Sequence, residues 1–180
     1  ISGGVAFWRE HSTLLVKARE RYGIPEEIIV ATIGIDTLYG RNTGSFRVLE
    51  ALATLAFNYP PRAELFRGEL EAYLLMVREG GLDPMKARGS YAGAMGIPQF
   101  LPSSFRRYAV DFDADGRRDL MNVADAIGSV ANYYREFGWQ PGGTVVVPVT
   151  VAAADTEALL AGGIKPHLKV AGLRRLGITP

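Results

Sequence analysis

The stretch that most constrains this chain is Gly23–Gly40, GIPEEIIVATIGIDTLYG. Pro25 suits a first helical turn, where its missing N–H costs nothing, and Glu26 and Glu27 suit the positive end of the helix dipole. Gly40 supplies a stop. The body between is apolar on nearly every face, so the helix has no side to offer water. It belongs in a core, with other helices packed around it. Asp36 then stands near the end of a buried helix, beside Thr37 and Tyr39. It is either a polar residue closing the helix or an acid placed for chemistry.

The flanking segments read as helices too. Phe7, Trp8, Leu14, Leu15, Ala18 and Tyr22 fall near helical spacing and predict one helix over Val5–Tyr22. Further helices are predicted through FRVLEALATLAFN, ending before Pro60-Pro61, and through RAELFRGELEAYLLMVRE, ending at Gly80-Gly81. Asn122 is a candidate N-cap for a helix through VADAIGSVANYYREF to Gly138. Beyond Trp139 the pattern weakens: TVVVPVTV is β-like, and short helices are predicted at DTEALLA and HLKVAGLRRLG. The expected fold is mainly α, with residues 1–140 as the principal unit and 141–180 as a small C-terminal extension.

Charge narrows the partners. Lys and Arg number 20 against 19 Asp and Glu, so no basic excess marks a nucleic-acid binder. With no cysteine there is no disulfide, thiolate metal site or cysteine nucleophile. No apolar run reaches the ~20 residues of a membrane-spanning helix, and no signal peptide is found. The first residue is Ile1 rather than Met, which reads as a processed or trimmed segment.

DFDADGRRDLMN places Asp111, Asp113 and Asp115 at loop positions 1, 3 and 5, and Gly116 at position 6. This is the alternation by which an EF-hand loop wraps hard oxygen ligands around Ca2+. The Arg117 carbonyl falls at position 7 and Asp119 at position 9. Position 12, normally a bidentate Glu, is Asn122; Asp125, at position 15, can close a longer loop. The competing reading is a solvated acidic turn. Three clustered carboxylates without a cation repel one another, which favours a structural calcium of modest affinity.

GSYAGAMGIPQFLPSS, Gly89–Ser104, is too rich in Gly and Pro for one regular helix. Its glycines let backbone approach a partner closely. Ser90, Tyr91, Met95, Gln99 and Phe100 mix hydroxyl, amide and aromatic groups, which suits sugars, with their apolar faces and hydroxylated rims. A tightly packed turn between helices explains the composition equally well.

AFWREH, YGIPEEIIVATIGIDTLYGRNTG, RVLEALATLAFNYPPRAELFRGELEAYLLM, GSYAGAMGIPQFLPSSFRRYAVDFDADG and VADAIGSVANYYREFGW together resemble the membrane-bound lytic transglycosylase B family of Gram-negative bacteria. They cover most of Ala6–Trp139 in family order; AGLRRLGITP matches more weakly. The resemblance implies a lysozyme-like helical core that cleaves the MurNAc–GlcNAc bond of peptidoglycan and leaves 1,6-anhydromuramic acid. It places the catalytic carboxylate on Asp36, saccharide contacts on Ser90, Met95, Gln99 and Phe100, a cleft tyrosine on Tyr133 and a nearby arginine on Arg62. It places the calcium ligands of an elongated EF-hand on Asp111, Asp113, Asp115, the Arg117 carbonyl and Asp125. It further implies peptidoglycan glycan strands as the partner, no cofactor for catalysis, a monomer, and a periplasmic location with an outer-membrane lipid anchor on the parent protein.

Two departures bear on activity. The family has Glu where this chain has Asp36, which draws the carboxyl back by about 1.5 Å, one C–C bond. A misplacement of that order can cost ~100-fold in rate. The residue is thus an engineered weakening, a slow natural variant, or the mark of a protein that binds glycan without cutting it. The family's C-terminal Tyr-Asn motif is also absent, and the short ends read as an excised core. The alternatives to an enzyme are a noncatalytic, calcium-stabilised peptidoglycan-binding module and a plain calcium-binding helical adaptor. His11 and His167 lack metal-spaced partners, and Ser103 and Ser104 lack a triad. Tyr133 and Tyr134, adjacent on a helix, are expected to face different ways, one lining a cleft and one packing.

Overall fold

The computed structural model describes residues 1–80, 83–151, 157, 162–163 and 168–179. They form two compact units, Ile1–Pro141 and Gly142–Pro180. The first unit carries α1 (Ser2–Glu10), α2 (Ser12–Tyr22), α3 (Glu26–Thr37), β1 (Phe46–Arg47), α4 (Val48–Asn58), α5 (Ala63–Gly80), β2 (Arg88–Gly89), α6 (Pro102–Tyr108) and α7 (Val123–Glu136). A single 3-10 turn, Pro60–Arg62, joins α4 to α5. The first two helices replace the one predicted over Val5–Tyr22. His11, at φ −110 and ψ 21, breaks the path between them. The break lets α1 pack on α3 while α2 reaches both α3 and α7.

Helices α3 and α7 form the centre. On α3, Ile29 and Ile33 are fully enclosed, and every residue of α7 from Ala124 to Asn132 is buried. A helix surrounded this way needs small residues where neighbours press in. A Cβ on Gly128 would lie 2.5–2.6 Å from the Phe112 ring, so only glycine fits that contact. The predicted N-cap holds: the Asn122 side-chain oxygen accepts the Ala124 N–H at 2.8 Å.

Three helices are tied through one carboxylate. Glu26, in the first turn of α3, is buried. One of its oxygens accepts the Trp8 indole N–H from α1 at 2.7 Å, and the other meets the Arg19 guanidinium of α2 at 2.7 Å. A second apolar cluster, around Leu52, Phe66 and Tyr73, joins α4 and α5.

The end of α3 departs from the sequence reading. The helix stops at Thr37, and the left-handed cap is Leu38 at φ 52, followed by Tyr39 at φ 64, before the predicted Gly40. Non-glycine residues in that region cost on the order of 1 kcal/mol each. The Tyr39 phenol offsets this by filling a notch left by Gly4 and Gly34, where a Cβ would overlap it, and by packing 5.2 Å from Phe7. Strand β1 also takes the first two residues predicted as helix. It pairs antiparallel with β2, Phe46 opposite Gly89. The Gly89–Ser104 stretch is irregular as expected until Pro102, where it starts α6, an element the sequence reading left unassigned.

In the second unit, Val170–Leu173 forms α8, followed by a 3-10 turn at Arg174–Leu176, as HLKVAGLRRLG predicts. Of TVVVPVTV, only Thr150–Val151 forms a strand, β3, paired antiparallel with β4 (Ile178–Thr179). The helix predicted at DTEALLA falls almost wholly outside the described residues, as does His167.

Glu26→Ala strands the Trp8 N–H in a part-buried site and frees Arg19. The expected loss is about 1–3 kcal/mol in urea unfolding. Glu50→Ala, which breaks the exposed pair with Arg47, is expected to cost about 0.5 kcal/mol or less.

Candidate active site

Asp36 occupies the last turn of α3 with its side chain facing solvent on one side and protein on the other. Among the described residues it has no hydrogen bond and no ion pair. Partial burial pushes its carboxyl above the ordinary range, and no nearby cation pulls it back. The C-terminal end of the α3 dipole acts in the same direction, because it disfavours negative charge.

Two cavities adjoin it. One, of about 270 Å3, is lined by Thr32, Pro98, Gln99, Phe100, Tyr133 and Tyr134 among others. The second, of about 500 Å3, lies on the Arg41–Phe46 turn and includes Ser90, Tyr91 and Gln99. Asp36 and Gln99 line both, and among the described residues Asp36 is the only carboxylic acid lining either. The larger cavity, about 710 Å3, lies between α5, α6 and the acidic loop. Its acids are engaged: Glu79 pairs with Arg106 at 2.8 Å, and Asp119 accepts the Met121 N–H at 2.8 Å.

The loop beside Asp36 is held by backbone and amide bonds. Thr37, wholly buried, donates its hydroxyl to the Ile97 carbonyl at 2.8 Å and accepts the Gly40 N–H at 3.0 Å. Gln99, at φ 50, donates its amide to the carbonyls of Thr43, at 3.1 Å, and Gly96, at 2.9 Å. Its amide oxygen makes no bond among the described residues. Ser90 Oγ accepts the N–H groups of Ala92 and Ala94, so its hydroxyl proton stays available. Tyr91 projects into solvent at the rim, 72% exposed.

The aromatic wall is continuous. Tyr133 lies 5.5 Å from Phe100 and stacks on Phe137 at 4.4 Å. Burial, and then the neighbouring Tyr108 and Tyr134, push its phenol higher, so it remains a neutral hydrogen-bonding group. Tyr134 packs against the main core and Trp139, and its other side lines the same cavity as Tyr133. Tyr134 also meets Thr32 at 3.0 Å, hydroxyl to hydroxyl. The sequence reading missed Thr32, although it sits four residues before Asp36, on the same helix face. The sequence places a glycine-rich turn after Tyr39, marked by Gly40 and Gly44, but gives no sign that residues 41–45 line a cavity.

Other predicted residues sit elsewhere. Met95 is buried and lines the larger cavity. Arg62 closes the 3-10 turn with its guanidinium 5.5 Å from the Phe66 ring and lines neither cavity beside Asp36. Ser103 donates its hydroxyl to Glu69 at 2.6 Å, a carboxylate capping α6 rather than a triad. His11 packs edge-on against Phe7.

In the acidic loop, one oxygen from each of Asp111, Asp113 and Asp115 lies within 4.8 Å of the others. Ala114 at φ 65 and Gly116 at φ 89 wrap the backbone, and the Gly116 N–H reaches Asp111 at 2.9 Å. An all-oxygen carboxylate set of this kind fits a hard divalent cation. Asp125 stands apart from the trio, buried at the first turn of α7. One of its oxygens accepts the Phe112 N–H and the other the Asp119 N–H, each at 2.7 Å. Each oxygen keeps a second lone pair, so this fastening of the loop ends leaves metal ligation open.

The transglycosylase SLT domain model matches residues 1–180. The chain is similar to membrane-bound lytic murein transglycosylase B of Escherichia coli, 48% identical over all of this chain and 49% of that protein. It thus spans about half the length of that curated relative. The Escherichia coli lytic transglycosylase Slt35, solved in complex with calcium, is 46% identical over 99% of this chain and 56% of its own, with a TM-score of 0.84. Pseudomonas aeruginosa SltB3, solved in complex with NAG-NAM-pentapeptide, is 34% identical over 97% of this chain and 46% of its own, with a TM-score of 0.79. The mainly helical, lysozyme-like fold expected from the sequence is the one these structures share. Matched by the family model from end to end and nearly half identical to a lytic murein transglycosylase, the chain belongs to the transglycosylase SLT domain family.

Proposed function

We propose that this chain is the core of a lytic transglycosylase that cleaves the β-1,4 bond between MurNAc and GlcNAc in peptidoglycan. The observation that carries the reading is the single carboxylic acid, Asp36, shared by two adjoining cavities lined with amide, hydroxyl and aromatic groups. Most glycosidases need a second carboxylate to activate water or to form a glycosyl ester. A 1,6-anhydro product removes that need, because the muramoyl C6 hydroxyl is the nucleophile.

On this reading the protonated Asp36 donates its proton to the glycosidic oxygen as the bond to C1 breaks. The resulting carboxylate takes the proton from the C6 hydroxyl as that oxygen attacks C1. The raised pKa of Asp36 serves the first half, since an acid of ordinary strength is ionised near neutral pH. Ser90, Tyr91, Gln99, Phe100 and Tyr133 would contact the saccharide; Arg62 and Met95 would support it from outside the two cavities. Residues 1–140 form the catalytic core on this reading, and the remainder is a small extension.

The acidic loop is assigned a structural calcium, held by Asp111, Asp113, Asp115 and the Arg117 carbonyl, with Asp125 completing the loop. Slt35 in complex with calcium supports this. When bound, such an ion would offset most of the repulsion among the three gathered carboxylates and would take no part in the chemistry. On this reading the parent protein works in the periplasm, where peptidoglycan lies, and acts as a monomer. On the same reading a lipid anchor holds the parent protein to the outer membrane.

Incubation with purified sacculi, followed by mass spectrometry for 1,6-anhydromuropeptides, tests the reading. Asp36→Glu is expected to raise product on the order of 100-fold by restoring the missing reach. Asp36→Asn is expected to abolish it. Product from Asp36→Asn, or silence from all three proteins, would overturn the assignment.

Calcium at about 100 times its Kd is expected to stabilise the chain by about 2.7 kcal/mol. Thermal unfolding with calcium and with chelator measures this, and Asp113→Ala should lose the difference.

A further inference from the structure

The two cavities beside Asp36 contain one cationic side chain, Arg41. It is exposed and makes no ion pair or hydrogen bond with any described residue. It forms no ion pair with Asp36, the carboxylic acid that lines the same cavity. Apart from Asp36, the other polar groups of its cavity are uncharged: Asn42, Thr43, Ser45, Ser90, Tyr91 and Gln99 supply what sugar hydroxyls and N-acetyl groups require. A guanidinium can donate to neutral hydroxyls and carbonyls, but it meets its strongest partner in an anion. Its fork matches a carboxylate, with two parallel N–H donors.

The backbone that carries Arg41 is held on both sides. Asn42 donates its N–H to the Thr37 carbonyl at 2.9 Å, and the Thr43 carbonyl accepts the Gln99 amide at 3.1 Å. Gly44, at φ 91, brings the turn so close to Gly89 that a Cβ would overlap the Gly89 carbonyl. The side chain is free while its origin is fixed, which limits the entropy lost on binding.

Peptidoglycan differs from a neutral polysaccharide in its muramoyl lactyl group, which carries a short peptide stem with free carboxylates. We infer that Arg41 is a specificity-determining residue that pairs with a carboxylate of the peptide stem on the glycan in the Asp36 cleft. The cleft thereby selects stem-bearing strands over stripped ones. This rests on the glycan-binding reading of the same cleft, and it adds a recognition element for the peptide part.

Equilibrium binding of two probes, GlcNAc-MurNAc-pentapeptide and the same disaccharide without its stem, tests it on the full chain and on Arg41→Gln. The unaltered chain is expected to favour the stem-bearing probe roughly tenfold. That preference should shrink at high salt and fall close to unity in Arg41→Gln. Capping the stem carboxylates as amides should reproduce the loss in the unaltered chain. A preference that persists in Arg41→Gln, or two probes bound equally by the unaltered chain, overturns the inference while leaving the cleft a glycan site. Absence of binding by either probe overturns the glycan reading itself.

Discussion

The hydroxyl of Thr37 holds the site together. It is enclosed at 1% exposure, at the point where α3 ends. It joins that end to the Ile97 carbonyl and to the Gly40 N–H. The Ile97 N–H in turn reaches the Leu120 carbonyl at 2.9 Å, just beyond the acidic loop. One residue, Ile97, therefore links the helix carrying Asp36, the segment carrying Gln99 and Phe100, and the loop that gathers three carboxylates. A buried hydroxyl left without partners would cost about 1–3 kcal/mol, so the link is strongly specified. Asp36, the next residue back, inherits its position.

The acidic loop is fastened from the other side. Asp125 takes an N–H from residues near each end of the loop and sits in the first turn of α7, where negative charge is favoured. Because α7 is buried along most of its length, loop position passes rigidly to Tyr133 and Tyr134 on the same helix. Cation binding at the loop and glycan binding at the cleft therefore use one framework, though no cation side chain enters either cavity wall except Arg41.

Much of this was legible in the sequence because it rests on short-range signals. The apolar body of α3, the Asn122 cap and the alternating aspartates are local patterns with local causes. The misplaced features depend on tertiary contacts. The break at His11 follows from packing α1 and α2 on different partners. The stop at Thr37 follows from the glycine notch that receives Tyr39, which forces two non-glycine residues into the left-handed region. Tyr134 joins the cleft because Thr32 reaches it across 102 residues. Arg41 lies in a stretch that carries the resemblance but has no assigned role there; its lack of a partner among the described residues, in the cavity it shares with Asp36, draws attention to it.

The cleft thus poses a simple chemical problem. A single carboxyl, open to solvent on one side, must hold a proton long enough to give it away. The environment supplies burial and a helix C-terminus, and no described residue forms an ion pair with Asp36 that would favour the charged form. The most direct measurement is an NMR titration of the Asp36 side-chain carboxyl in the full chain. A midpoint clearly above the ordinary carboxylic-acid range is the predicted result. A midpoint at or below that range would leave Asp36 ionised near neutral pH and would contradict its role as the acid.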